Sequence, residues 1–154
     1  MPVFANTDDY DRAILRLVQN DASLTHEAIG RSVNLSASSV RRRLAALKDA
    51  GIIEKEVALL SPEHAGVTLI VSVSFKEETA DAYDQLDARV RDDPAVKQSY
   101  HVSGEEDYVL IVQAPSLQWY ENWGREMFMT DPAIRRYSTK VVWSRKKFDT
   151  SIDV

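Results

Sequence analysis

Two hydrophobic periods divide this chain. From Tyr10 to Leu47 the apolar residues recur at helical spacing. From Leu69 onward they mostly alternate. In the first region, Asp8 or Asp9 can cap a helix reaching about Asn20, with Tyr10, Ile14, Leu17 and Val18 on one face. Asp21-Ala22-Ser23 breaks it. Thr25 caps a short second helix whose apolar side is Ala28, Ile29 and Val33. Asn34 tolerates the left-handed conformation that a helix end requires. Ser36 caps a third helix, Ala37 to about Ala50, and Gly51 stops it. Ile52–Leu60 reads as a strand.

In the second region Leu69, Val71, Val73 and Phe75 alternate, which predicts a half-buried strand over Thr68–Lys76. Tyr83, Leu86 and Val90 mark a helix from about Thr79 to Asp92, ended by Pro94. Val96 to Val102 alternates again, Gly104–Asp107 turns, and Tyr108–Ala114 is a strongly apolar strand. Ser116 caps a helix reaching about Met129, and Ile134–Lys146 is the last strand. The order is βαββαβ, which folds as a four-stranded antiparallel sheet with both helices on one face. The predicted class is α+β: a helix-turn-helix domain over 1–60, a linker over 61–66, and a ferredoxin-like βαββαβ domain over 67–154.

Charge sharpens this division. The chain carries a net charge of −5, but residues 1–60 hold eight basic and eight acidic side chains, so the acidity lies wholly in the rest. Arg41, Arg42 and Arg43 are consecutive. Screening confines each charge to about 8–10 Å, so this local run matters more to a phosphate than the global sum. With no cysteine, disulfides and thiolate metal sites are excluded, and His26, His64 and His101 show no ligand spacing. No metal, cofactor or catalytic residue is expected. No apolar run approaches the roughly 18 residues of a membrane span, and the first residues do not read as a signal peptide. The expected location is the cytoplasm, with no membrane partner.

Two short helices joined by a tight turn read DNA when the second keeps a free face. On the third helix Val40, Leu44 and Leu47 form the inner stripe, and Ser38, Arg42, Ala45 and Asp49 lie opposite. Ser38 and Arg42 are therefore placed for base edges, with Arg41 and Ser39 flanking. The hydroxyls of Ser36 and Ser39, with the free N–H groups of the first turn, suit phosphate oxygens. Arg43 projects beside the apolar stripe, so it is expected to pair with an acid or a phosphate.

Asp9-Tyr10-Asp11-Arg12-Ala13-Ile14-Leu15 resembles the opening helix of the Lrp/AsnC, or feast/famine, regulators. Leu35 to Leu44, with Leu47 and Gly51-Ile52-Ile53, resembles that family's recognition-helix signature. Ser103 to Leu110 resembles its glycine-to-aspartate turn, and Thr139 and Lys147 match its last strand. The resemblance implies a winged helix-turn-helix that binds double-stranded DNA and a βαββαβ domain that forms homodimers, often assembled into tetramers or octamers. It also implies an amino acid effector bound between βαββαβ domains. Gly30 and Asn34 depart from the pattern, which has Ala and Gly there, and Glu54-Lys55-Glu56 makes the wing more acidic.

For the effector, Gly104 lets backbone approach a ligand, and Asp107 offers a carboxylate to an α-ammonium. Tyr100, His101, Ser138 and Thr139 are candidate walls. Glu105 and Glu106 add negative charge, so the expected ligand is a neutral or basic amino acid. Two other functions compete. His101 could serve a tetrapyrrole decarboxylase of related architecture, and a non-reading assembly partner would share the fold. The basic helix argues against both. Trp119 and Trp123 read as core or subunit contact, and Asp92-Asp93 as solvated.

Overall fold

The computed structural model describes residues 7–61 and 64–154. Two compact units emerge. One runs up to Leu59 and includes Lys147–Val154; the other is Leu60–Lys146.

The first unit is a trio of capped helices. In α1 (Asp9–Val18) Asp8 accepts from the Asp11 backbone while the Asp11 carboxylate accepts from the Asp8 backbone, a reciprocal capping box. In α2 (His26–Val33) Thr25 accepts from Ala28 N–H. In α3 (Ala37–Asp49) Ser36 accepts from Ser39 N–H. Asn34 holds φ 59 and ψ 44, the left-handed conformation that ends α2. Ile14, Ile29, Val40 and Leu44, all buried, close the trio. Each belongs to the inner stripe that helical spacing assigns to its segment.

The second unit contains β1 (Val67–Phe75), α4 (Ala80–Asp92), β2 (Val96–His101), β3 (Tyr108–Ala114), α5 (Leu117–Gly124) and β4 (Ile134–Val141). The sheet order is β2-β3-β1-β4, antiparallel throughout. This is the βαββαβ arrangement predicted from the alternating pattern. Leu69, Val71 and Val73 pair with Val112, Leu110 and Tyr108, and together they form the core beneath Leu86, Trp123 and Phe128.

Three expectations change. Ile52–Leu60 forms no strand, because a strand needs a ladder partner and none pairs with it among the described residues. Val57, Leu59 and Leu60 stay exposed. The last strand stops at Val141 rather than Lys146, where its pairing with β1 ends. The final helix does reach Met129, its α-helical part ending at Gly124 and its last five residues forming a π-turn. Asp93 is not simply solvated: it accepts from Ala95 N–H at 2.8 Å and from the Trp123 indole at 2.8 Å.

Candidate nucleic-acid interface and ligand-binding face

Gly30, within α2, packs closely against the turn before α3. A Cβ on Gly30 would lie 2.4 Å from the Leu35 carbonyl oxygen. That close approach lets Leu35 N–H bond the Gly30 carbonyl at 2.9 Å and sets where α3 begins. At its start three hydroxyls converge, Ser36 Oγ lying 3.0 Å from Ser38 Oγ and 2.9 Å from Ser39 Oγ. Ser36 and Ser38 are exposed and Ser39 is half-buried. The cluster and the unpaired N–H groups of the first helical turn form a polar, anion-tolerant end.

The three arginines have different fates. Arg41 and Arg42 are exposed and form no ion pair among the described residues. Arg43 reaches back to α1, where one guanidinium nitrogen donates to Asp8 and Asp11 at 2.8 Å each and the group lies over the Tyr10 ring. Those hydrogen bonds raise the Arg43 pKa further, Asp11 contributing most. Arg43 thus fastens α3 to α1. Lys48 similarly holds Glu56 at 2.9 Å, tying the segment after Gly51 to the end of α3.

In the second unit, strand alternation sorts the candidate effector residues onto opposite faces. Tyr100 pairs with Val109, Val109 with Ser72, and Ser72 with Ser138. These four form one row across the face without helices. His101 and Thr139 lie on the helix-covered face. His101 stacks on Tyr108 with ring centroids 5.0 Å apart and meets Tyr83 at 4.7 Å. Thr139 shares a 2.6 Å hydrogen bond with the Tyr120 hydroxyl. Tyr100 and Ser138 therefore share a face that His101 and Thr139 do not.

The turn joining β2 to β3 is anchored on both sides. Ser74, 1% exposed, donates from its hydroxyl to the Glu105 carbonyl. Asp107 accepts from Phe75 N–H at 2.7 Å and from the Tyr83 hydroxyl at 3.3 Å. That carboxylate extends the β1–β3 ladder, a role that spacing alone did not reveal. Gly104 has φ 137, with nothing within 4 Å of an added Cβ, so the turn is open there to an approaching group. Glu105 is exposed and Glu106 half-buried.

A helix-turn-helix with a free basic face, joined to a ferredoxin-like sheet with a glycine-bearing turn, defines a DNA-binding regulator with a small-molecule domain. Residues 7–54 match the winged helix-turn-helix DNA-binding family, and residues 68–152 match the Lrp/AsnC ligand binding domain. An HTH-type transcriptional regulator of Sinorhizobium fredii is 36% identical over 149 residues, 96% of this chain and 88% of its own. The DNA-binding transcriptional activator DecR of Escherichia coli is 28% identical over 96% of this chain and 98% of its own. A transcriptional regulator of Neisseria meningitidis, solved as a complex with L-methionine, superposes with a TM-score of 0.87 at 30% identity. That match covers 95% of this chain and 96% of the other. This chain belongs to the Lrp/AsnC family of transcriptional regulators. The tetrapyrrole decarboxylase alternative finds no support in these matches.

Proposed function

We propose that this regulator reads its operator with the outward face of α3 and responds to a neutral or basic amino acid. The observation that carries the first part is the contrast within the arginine run. Arg42 is exposed opposite the buried Val40–Leu44–Leu47 stripe, while Arg43 is occupied by Asp8 and Asp11. In this reading Ser38 and Arg42 meet base edges, and Arg41 meets the phosphate backbone. Ser36 and Ser39 orient the first turn toward a phosphate. Arg43 serves as a brace. The protein works in the cytoplasm as a two-fold dimer or an assembly of dimers. The partner's sheet covers the row Tyr100–Val109–Ser72–Ser138, and the two reading heads meet adjacent half-sites.

The effector approaches at Gly104 beside Tyr100, with Glu105 and Glu106 disfavouring an acidic side chain, while Ser138 lies on the opposite edge strand, away from this turn. Asp107 acts chiefly through the turn it holds. The relative solved with L-methionine supports a neutral ligand.

The test is a gel shift on operator and random DNA. Arg42→Ala should lower operator affinity by about 1–3 kcal/mol and relax sequence preference. Arg41→Ala should weaken both DNAs alike and flatten the salt dependence. Light scattering on the same complex should count an even number of chains, at least two for each pair of half-sites. An unchanged operator-to-random ratio in Arg42→Ala would refute the face assignment.

A further inference from the structure

The reading head contains a segment that is remote in sequence. Lys147–Val154 clusters with the helix trio, so the chain enters this unit a second time after leaving it at Leu59. The attachment is specific. The Gln19 side-chain amide donates to the Ile152 carbonyl at 3.0 Å, and its oxygen accepts from Ile152 N–H at 2.9 Å. One side chain thereby satisfies both backbone groups of one residue, as a neighbouring strand would. Arg16 donates to the Val154 carbonyl. Asp149 accepts from both the N–H and the hydroxyl of Ser151, at 2.9 and 2.7 Å, and shapes the approach.

Beside the docked segment lies a groove of about 580 Å³, lined by Leu15, Val18 and Ile53 of the reading head and by Thr150, Ile152 and Val154, alternate residues of the segment. Leu15 is only 7% exposed, yet it lies outside the Ile14–Ile29–Val40–Leu44 cluster. It lines this groove with Val18 and Ile53.

We propose that Lys147–Val154 is an intramolecular peptide ligand of the reading head, recognised through its backbone by Gln19 and Arg16, while the Ile152 side chain stays largely exposed. Its docking holds the last turn of α1. Because α1 carries Ile14 into the core that presents α3, the segment acts as a strap on the frame of the DNA-reading helix. It also gives the reading head a second covalent tie to the sheet domain, independent of the Leu59–Leu60 crossing.

Hydrogen exchange of the full chain tests this. Gln19→Leu removes both bonds to Ile152 and should speed exchange of the amides at positions 19–21 about tenfold. Gln19→Glu keeps the acceptor and should fall between the two. A chain ending at Lys146 should match Gln19→Leu, and combining the two changes should add little. A synthetic peptide of residues 147–154 should restore protection to the shortened chain and leave the shortened Gln19→Leu chain unchanged. The sequence has no native cysteine, so Gln19→Cys with Ile152→Cys can be joined by a short bismaleimide and read on a denaturing gel. A cross-link within one chain supports the strap. A cross-link joining two chains, additive effects of the two changes, or unchanged exchange in Gln19→Leu overturns it.

Discussion

Asp107 has a structural role that its place in a ligand-binding turn would conceal. Its carboxylate accepts from Phe75 N–H at 2.7 Å and from the Tyr83 hydroxyl at 3.3 Å, and Phe75 is only 4% exposed. Asp107→Ala leaves that N–H without its partner in a shielded place. The penalty for an unsatisfied buried donor is about 1–3 kcal/mol, and it exceeds the worth of the weaker Tyr83 contact. For a domain of this size a loss of about 2 kcal/mol lowers the melting midpoint by roughly 10 °C. Asp107→Asn behaves differently. Its amide oxygen can still accept from Phe75, so the loss should stay below about 1 kcal/mol while the charge disappears. Thermal melting of both variants, with and without each of the twenty amino acids, separates the roles. The alanine variant should melt well below the asparagine variant. The asparagine variant should keep most of the ligand-induced shift if Asp107 acts through the turn. Equal melting of the two variants would refute the ladder argument. A response abolished in a fully stable Asp107→Asn protein would show instead that the carboxylate contacts the ligand.

Gly30→Ala gains about 1 kcal/mol of helix propensity but sets a methyl group 2.4 Å from the Leu35 carbonyl oxygen. Overpacking against backbone costs about 1–3 kcal/mol, so urea denaturation should show a net loss on the order of 1 kcal/mol. A stabilised variant would contradict the close approach. Asp8 should make the reading head acid-sensitive. The Asp11 backbone N–H, with Arg43 adding, holds the Asp8 carboxyl below its ordinary value. A group depressed in the folded state contributes stability above its unfolded pKa, near pH 4, and loses it as pH falls through the folded value. Asp8→Asn keeps a helix cap but loses the charge, so it should flatten the acid limb of a helicity titration and already show at neutral pH the loss that acid causes in the native chain. An unchanged acid limb would show that the depression does not matter to folding.

The sequence by itself determined the elements and their order. Asp8, Thr25, Ser36, Thr79 and Ser116 cap their helices because side-chain oxygens satisfy backbone N–H groups locally, without help from distant residues. Alternation over Leu69–Phe75 assigned the buried face of that strand, because the strand period is fixed at two. The same period already placed Tyr100 opposite His101, and Ser138 opposite Thr139. What the period could not give is the sheet order, which sets Tyr100 and Ser138 on opposite edge strands.

Tertiary structure decided what depends on a partner distant along the chain. Ile52–Leu60 has the composition of a strand, but no ladder forms without a neighbour in register. Helical spacing already set Arg43 beside the apolar stripe, but only the placing of α1 decides that its partners are Asp8 and Asp11. Asp93 finds the Trp123 indole across 30 residues. The Gln19–Ile152 clasp spans 133 residues and has no signature in local spacing, because its bonds are made to backbone that every residue shares.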